Sequence, residues 1–210
     1  GFMARMEIYF FKKYNIGYNK NFLISASQQK NAYFEGFWQS HLYYQKKLPE
    51  LSKEISLKDE TLLKDFKQKY SFDSKVSVSV HIRRGDFLNK NAGTKVVEKE
   101  YYERAVPLFE QKIKNATYYV FSDDIAWVEK EMGHLFTDVV YVSALNLPDY
   151  VEFALLKECH HAILSNSTFC WLATLLTNHN KKVVVYPKDW KNAYLNGDSN
   201  ICPPEWVGLE

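Results

Sequence analysis

The chain has 210 residues, 46% of them hydrophobic and 16% aromatic, enough apolar material for one large globular domain or one and a half small ones. Twenty-seven basic side chains against 25 acidic ones leave a net charge of +2, so no overall field argues for nucleic acid or an anionic membrane, and any preference for anions has to be local. No apolar run reaches the roughly 18 residues of a membrane span.

The three cysteines, Cys159, Cys170 and Cys202, have no CxxC or histidine-rich spacing. That fits neither a disulfide framework nor a zinc site, and reduced buried thiols are the expectation. Sequons beginning at Asn115 and Asn166 matter only in a secreted context, and nothing in the sequence signals secretion.

Gly1-Phe2-Met3 reads as interior material, so a fragment of a longer protein is expected. Residues 7–11 and 22–25 are candidate short strands. Residues 32–39, YFEGFWQ after Ala32, are dense in rings beside Gly36. Such rings can stack on a sugar, although the core is the commoner place for them.

From Ser56 the pattern sharpens. Ser56-Leu57-Lys58-Asp59 resembles a capping start, and Leu62, Leu63, Phe66 and Tyr70 recur at helical spacing. Residues 76–82 then alternate Val and Ile with Ser77, Ser79 and His81, the period of a strand, and run directly into Arg83-Arg84-Gly85-Asp86. A polar loop over 89–95 leads to a second amphipathic helix carrying Tyr101, Ala105, Leu108, Phe109 and Ile113, which Pro107 is expected to kink or end.

Three further units follow the same plan. A strand at 117–121 precedes Ser122-Asp123-Asp124 and a helix with Trp127, Val128 and Met132. A strand at 139–142 precedes Pro148-Asp149 and a helix with Val151, Ala154, Leu155 and Cys159. A strand at 162–164 precedes the turn Ser165-Asn166-Ser167-Thr168 and a helix over 169–176, and a last strand is expected at 183–186. Short apolar strands separated by single helices imply a parallel sheet covered on both faces. The expected fold is α/β, a Rossmann-like parallel sheet over residues 74–210, with residues 1–73 as an appendage or the remnant of a second lobe.

In such a sheet ligands bind beyond the carboxyl ends of the strands. The loop with His81, Arg83, Arg84 and Asp86 suits a phosphate, because guanidinium forks bind it bidentately and a glycine lets the backbone turn closely. The loop starting at Ser122 and Asp123 offers carboxylates to a guanine edge or to ribose hydroxyls. The loop with Asn166, Ser167 and Thr168 offers hydroxyls and backbone N–H groups at a helix N-terminus. Together they describe a nucleotide-diphosphate site that is neither a P-loop nor a GxGxxG turn. Taken singly, each has a plainer reading: Asp123, Ser167 and Thr168 as N-caps, Arg83 and Arg84 as partners of Asp86, and His81 as a satisfied buried histidine.

HIRRGDF resembles the His-x-Arg-Arg-Gly-Asp motif of the α-1,2-fucosyltransferases, glycosyltransferase family 11. LLKECHHAILSNSTFCWLATLL is similar to that family's Cys-x-His followed by Asn-Ser-Thr-Phe, YFEGFWQS to its upstream aromatic segment, and the tail from YPKDW to PPEW to its C-terminus. The likeness runs from about Tyr33 to Trp206. Two features depart from it: no glycine-rich Gly-x-Gly-Asn-Gln opening is present in this sequence, and the family's Ser-Trp-Trp-Gly reads Cys170-Trp171-Leu172-Ala173.

The resemblance implies the C-terminal donor lobe of a GT-B-type enzyme. It implies inverting transfer of fucose from GDP-fucose to a galactose-terminated glycan, with no obligatory metal or other cofactor. By the same likeness Arg83 is the essential arginine on the β-phosphate, and Arg84, His81 and Asp86 shape the pocket. Asp123 reads guanine, and Ser167 and Thr168 hold the diphosphate. Ser122, Asn166 and Phe169 join the donor-binding set. No nucleic-acid partner is expected. The implied location is cytoplasmic or membrane-peripheral for a bacterial-type enzyme and the Golgi lumen for a eukaryotic one. A truncated, non-catalytic nucleotide-binding module is the rival reading. Adhesion through Arg84-Gly85-Asp86 is disfavoured, because the tripeptide closes a buried strand.

Overall fold

The structure is a computed structural model that describes residues 9–13, 32–36, 38–88, 95–190 and 200–210, the first two stretches as backbone only. Those two stretches form a parallel pair, β1 (Tyr9–Lys13) and β2 (Ala32–Gly36). The candidate strand at 22–25 and the polar loop over 89–94 lie outside the described residues.

The main sheet has six strands: β3 (Val76–Ile82), β4 (Ala116–Ser122), β5 (Val139–Tyr141), β6 (His161–Ile163), β7 (Val184–Pro187) and β8 (Val207–Leu209). All five pairings are parallel, and the order across the sheet is β5-β4-β3-β6-β7-β8. The chain therefore starts in the middle, moves outward to β5, and returns to the other side of β3 to continue through β6. This is the doubly wound, Rossmann-like arrangement expected from the alternation of strands and helices. Its switch point, where strand order reverses and a crevice opens, lies between the carboxyl ends of β3 and β6.

Helices α1 (His41–Tyr44), α2 (Leu48–Glu54), α3 (Thr61–Lys69), α4 (Lys99–Lys112), α5 (Ile125–Met132), α6 (Asp149–Glu158) and α7 (Thr168–Leu176) surround the sheet. Two apolar clusters form the core. One joins Phe66, Phe72, Tyr119, Phe121, Leu155 and Trp171, and the other joins Val78, Val80, Tyr102, Phe109, Val120 and Met132. Alternate residues of β4 enter opposite clusters, while on β3 Val78, Val80 and Ile82 enter the second cluster and Ser77, Ser79 and His81 are buried on the other face, so both strands are covered on both faces. Ser77 and Ser79, the small polar positions of β3, are fully buried and satisfied, with Ser79 Oγ donating to the His161 carbonyl (3.3 Å).

Several elements differ from expectation for local reasons. Asp59 accepts from both Thr61 N–H (2.9 Å) and Thr61 Oγ1 (2.7 Å), so α3 starts at Thr61 and not at Ser56. Helix α4 runs through Pro107 for 14 residues, with Ala105, Val106 and Phe109 buried around it. Packing of that face outweighs the missing donor.

The segment ahead of the sheet is built into the same core. Ser52 Oγ donates to the Leu176 carbonyl (2.7 Å), and Lys157 Nζ donates to the carbonyls of Ser52 and Ile55, tying the end of α2 to α6. At the chain's other end, Trp171 Nε1 donates to the Ile201 carbonyl (3.0 Å), and Ser40 Oγ to that of Asn200 (2.8 Å). These bonds hold residues 38–41 against the C-terminal tail and bring Gln39 to the switch point.

Candidate nucleotide-sugar site

A cavity of about 610 Å³ lies at the switch point. It is lined by eight residues singled out from the sequence, namely His81, Arg83, Ser122, Asp123, Asn166, Ser167, Thr168 and Phe169. The carboxyl ends of β3, β4 and β6 supply them, together with the first turn of α7.

Arg83, the first residue beyond β3, carries the cation of this cavity's β3 wall, and its side chain is 37% exposed. Its Nε donates to Asp86 Oδ1 (2.9 Å), its Nη2 reaches the same oxygen (2.9 Å), and its Nη1 lies 3.1 Å from Asp123 Oδ2. The guanidinium is therefore fixed between a mostly exposed carboxylate and a mostly covered one. Asp123 is fixed in turn, because its Oδ1 accepts the Arg84 backbone N–H (2.8 Å). Gly85 makes this possible: a Cβ there would lie 2.5 Å from Asp123 Oδ2, closer than non-bonded atoms approach.

Arg84 and Asp86 are not part of the cavity wall. Arg84 turns the other way, with Nε donating to Asp124 Oδ2 (3.1 Å) and Cζ stacked 3.4 Å from the centroid of the Trp127 ring. A guanidinium so close to an indole face, with its carboxylate alongside, locks the start of α5 to the end of β3. Asp124, at the N-cap position of α5, makes no side-chain cap; its backbone N–H donates to Ser122 Oγ (3.1 Å) while its carboxylate serves Arg84. Asp86 reaches the site through Arg83.

His81 ends β3 beneath the cavity, 7% exposed, its Nδ1 hydrogen-bonded with Ser165 Oγ (2.8 Å). Burial, and then the neighbouring Arg83 charge, push its pKa down to about 4. The ring is thus neutral at neutral pH and a weak base. Its role in the geometry is to join β3 to the β6 loop.

Helix α7 answers the plainer reading of Ser167 and Thr168. Ser167 stands at the N-cap position with extended backbone, yet its side chain makes no cap bond. The Thr168 hydroxyl accepts from Gln39 Nε2 (2.6 Å). The first N–H groups of this nine-residue helix are therefore not closed off by a side-chain cap, and they face the cavity wall where an anion would gain from them. Cys170, one turn in, is buried and its thiol pKa is pushed up to about 12, chiefly by burial, so it stays a protonated core residue.

Two buried amides add polar capacity. Gln39 Oε1 and Asn166 Oδ1 have no hydrogen-bond partner among the described residues, although both residues are more than nine-tenths buried and line the cavity. Asn166 Nδ2 donates to the Lys95 carbonyl (2.8 Å). Unpaired acceptors of this kind are costly. Their clustering in one cavity fits a polar ligand that brings hydroxyl or amide donors.

Sequence reasoning did not single out Gln39, Phe87, Ser143, Asn146, Asp149 or Glu152, all of which line the same cavity. Four of these belong to the segment between β5 and the first turn of α6, which is again the loop after a strand. The rule that located the other three loops covered this one too, but Ser143-Ala144-Leu145-Asn146 has no charge cluster to draw attention. Glu152 is the informative member. Its Oε2 accepts from Ser143 Oγ (3.1 Å), Ser143 Oγ accepts from the Ser122 N–H (3.0 Å), and burial raises the carboxyl pKa, with Asp149 adding to the rise.

The cavity is thus polarised. Arg83 and the open end of α7 make the β3/β6 side attractive to anions, and the β4/β5 side carries the carboxylates Asp123, Asp149 and Glu152. A ligand with an anionic centre and donor groups at one end matches this distribution.

The model of glycosyl transferase family 11 matches residues 5–210. An alpha-1,2-colitosyltransferase of Escherichia coli is 29% identical over 197 residues, covering 89% of this chain and 66% of that protein. The galactoside 2-alpha-L-fucosyltransferase Sec1 of Mus musculus is 28% identical over 191 residues, 84% of this chain and 51% of its own length. The galactoside alpha-(1,2)-fucosyltransferase 2 of Rattus norvegicus is 29% identical over 196 residues, with 84% and 53% covered. The chain spans about half to two-thirds of the length of these relatives.

Proposed function

Because the chain belongs to glycosyl transferase family 11, we propose that it carries the donor site of an inverting α-1,2-glycosyltransferase, transferring a 6-deoxy sugar, fucose in the first instance, from its GDP ester to a terminal galactose of a glycan. The observation that carries this reading is the convergence of Arg83 and the uncapped N-terminus of α7 on one cavity at the sheet's switch point. The names of the relatives, which include fucosyl- and colitosyltransferases, support the sugar class.

In this reading the diphosphate lies between Arg83 and residues 166–168, and Asp123 faces the guanine edge. A carboxylate has about four lone-pair sites, so Asp123 can brace Arg83 and still accept from a base. As the glycosyl–oxygen bond breaks, negative charge grows on the departing GDP. A guanidinium already held by Asp86 and Asp123 meets that charge without reorganising. His81 contributes by position and not by proton transfer, since its ring is neutral and engaged with Ser165.

The test is calorimetric titration of the chain with GDP, with ADP and UDP as controls and no added metal. Micromolar binding of GDP that disappears in Arg83→Ala supports the site. Folded protein that binds none of the three overturns it.

A further inference from the structure

Resting on the nucleotide-sugar reading above, we propose that Glu152 holds the ribose hydroxyls of the donor nucleoside. Glu152 projects from the first turns of α6 into the wall of the cavity. No lysine or arginine pairs with it among the described residues. Its hydrogen-bond partner among the described residues is the Ser143 hydroxyl, and the direction of that bond is set. Ser143 Oγ accepts the Ser122 N–H at 3.0 Å, which leaves its proton to go to Glu152 Oε2 at 3.1 Å. The relay from the end of β4 thus orients the carboxylate and commits one oxygen. Oε1 has no partner among the described residues.

A half-buried carboxylate that meets no cation and has one oxygen without a partner among the described residues suits ligand donors. Its place narrows the choice. The anionic centre of the ligand belongs on the β3/β6 side, against Arg83 and α7, so the part of the ligand reaching the β4/β5 side is the nucleoside. A guanine edge presents two parallel N–H donors and is best met by a carboxylate with both oxygens open. Glu152, with one oxygen occupied by Ser143, suits hydroxyl donors better. Burial of the carboxyl, which raises its pKa, is relieved by such bonds.

The experiment is titration of the same chain with GDP, 2′-deoxy-GDP, 3′-deoxy-GDP and IDP, in the wild type and in Glu152→Gln and Ser143→Ala. Glutamine keeps an acceptor for Ser143 and the size of the side chain, and circular-dichroism melting confirms that each variant is folded. A hydroxyl donating to a charged carboxylate is worth roughly a tenfold to hundredfold change in affinity. The wild type is therefore expected to bind at least one deoxy analogue about tenfold or more below GDP. In Glu152→Gln that ratio should fall toward one, and Ser143→Ala should lower it part of the way. A ratio unchanged in Glu152→Gln overturns the assignment, as does a variant in which the GDP-to-IDP ratio moves instead, for Glu152 would then read the base. Absence of GDP binding in the wild type sinks the nucleotide reading itself, a result separable from either of these.

Discussion

Asp123 Oδ2 lies 3.1 Å from Arg83 Nη1, while the other oxygen of the same carboxylate accepts the backbone N–H of Arg84. One side chain from the end of β4 thus fixes both the turn after β3 and the guanidinium that the turn presents. Two strands adjacent in the sheet converge on a single cation because their register sets Ile82 opposite Ser122.

Arg83→Ala should therefore remove transfer and GDP binding without unfolding the protein. The side chain is more than a third exposed and its ion pairs are near the surface, so little stability depends on it. The loss in turnover should be about two orders of magnitude or more, the scale for removing a preorganised charge from a transition state. Lysine should not restore it, since it cannot reproduce the fork held by Asp86 and Asp123. Turnover assays beside thermal melts decide this; a variant within a few-fold of wild type would refute the role.

Gly85→Ala should weaken the same site indirectly. The added methyl meets Asp123 Oδ2 at 2.5 Å, and that oxygen cannot retreat without leaving Arg83. Overpacking of this kind costs about 1–3 kcal/mol. GDP affinity should fall with it, and combining Gly85→Ala with Asp123→Ala should give less than the sum of the single effects, because the collision is gone. A strictly additive double mutant would show that the two residues do not communicate.

Arg84 should behave differently from its neighbour. It is 14% exposed in its side chain, bonded to Asp124, and stacked on Trp127. Arg84→Lys loses the planar stack and should destabilise the fold by about 1 kcal/mol or more. Any loss of GDP binding should track the loss of stability. A large functional defect with an unchanged melting temperature would mean that Arg84 meets the ligand after all.

The contrast between these two arginines marks the limit of what the sequence discloses. The alternation of β3, the helix between each pair of strands, and the placing of three chemically rich loops at one end of the sheet were all legible, because hydrophobic period and strand order are dictated by short-range pattern. The pattern could not say which arginine faces the cavity, since that depends on Asp123, Asp124 and Trp127 across the loop. Likewise β8 is three residues of Val-Gly-Leu, too short to show a period, and is specified by pairing with β7. Gln39 reaches the site through bonds between residues 40–41 and the tail 160 residues away, a relation no local window contains.

Acid should unfold this protein through its histidines before its carboxylates. His81 and His161 both have pKa values pushed down to about 4, chiefly by burial. His161 Nδ1 accepts the Val183 N–H (3.0 Å) and His160 Nδ1 accepts that of Ser77 (3.2 Å), bonds that only the neutral rings can make. In the unfolded chain these histidines take up protons near pH 6.5. Between about 6.5 and 4 the unfolded state thus binds more protons than the folded one, and stability is fully present above that window and is lost as pH falls through it. Each such histidine adds up to about 1.4 kcal/mol per pH unit to the slope. Urea midpoints measured from pH 7.5 down to 4.5 should decline steadily. In His161→Asn, where an uncharged acceptor can still meet Val183 N–H, the decline should be shallower. A wild-type midpoint that stays flat to pH 4.5 would show that these rings are not held neutral by the fold.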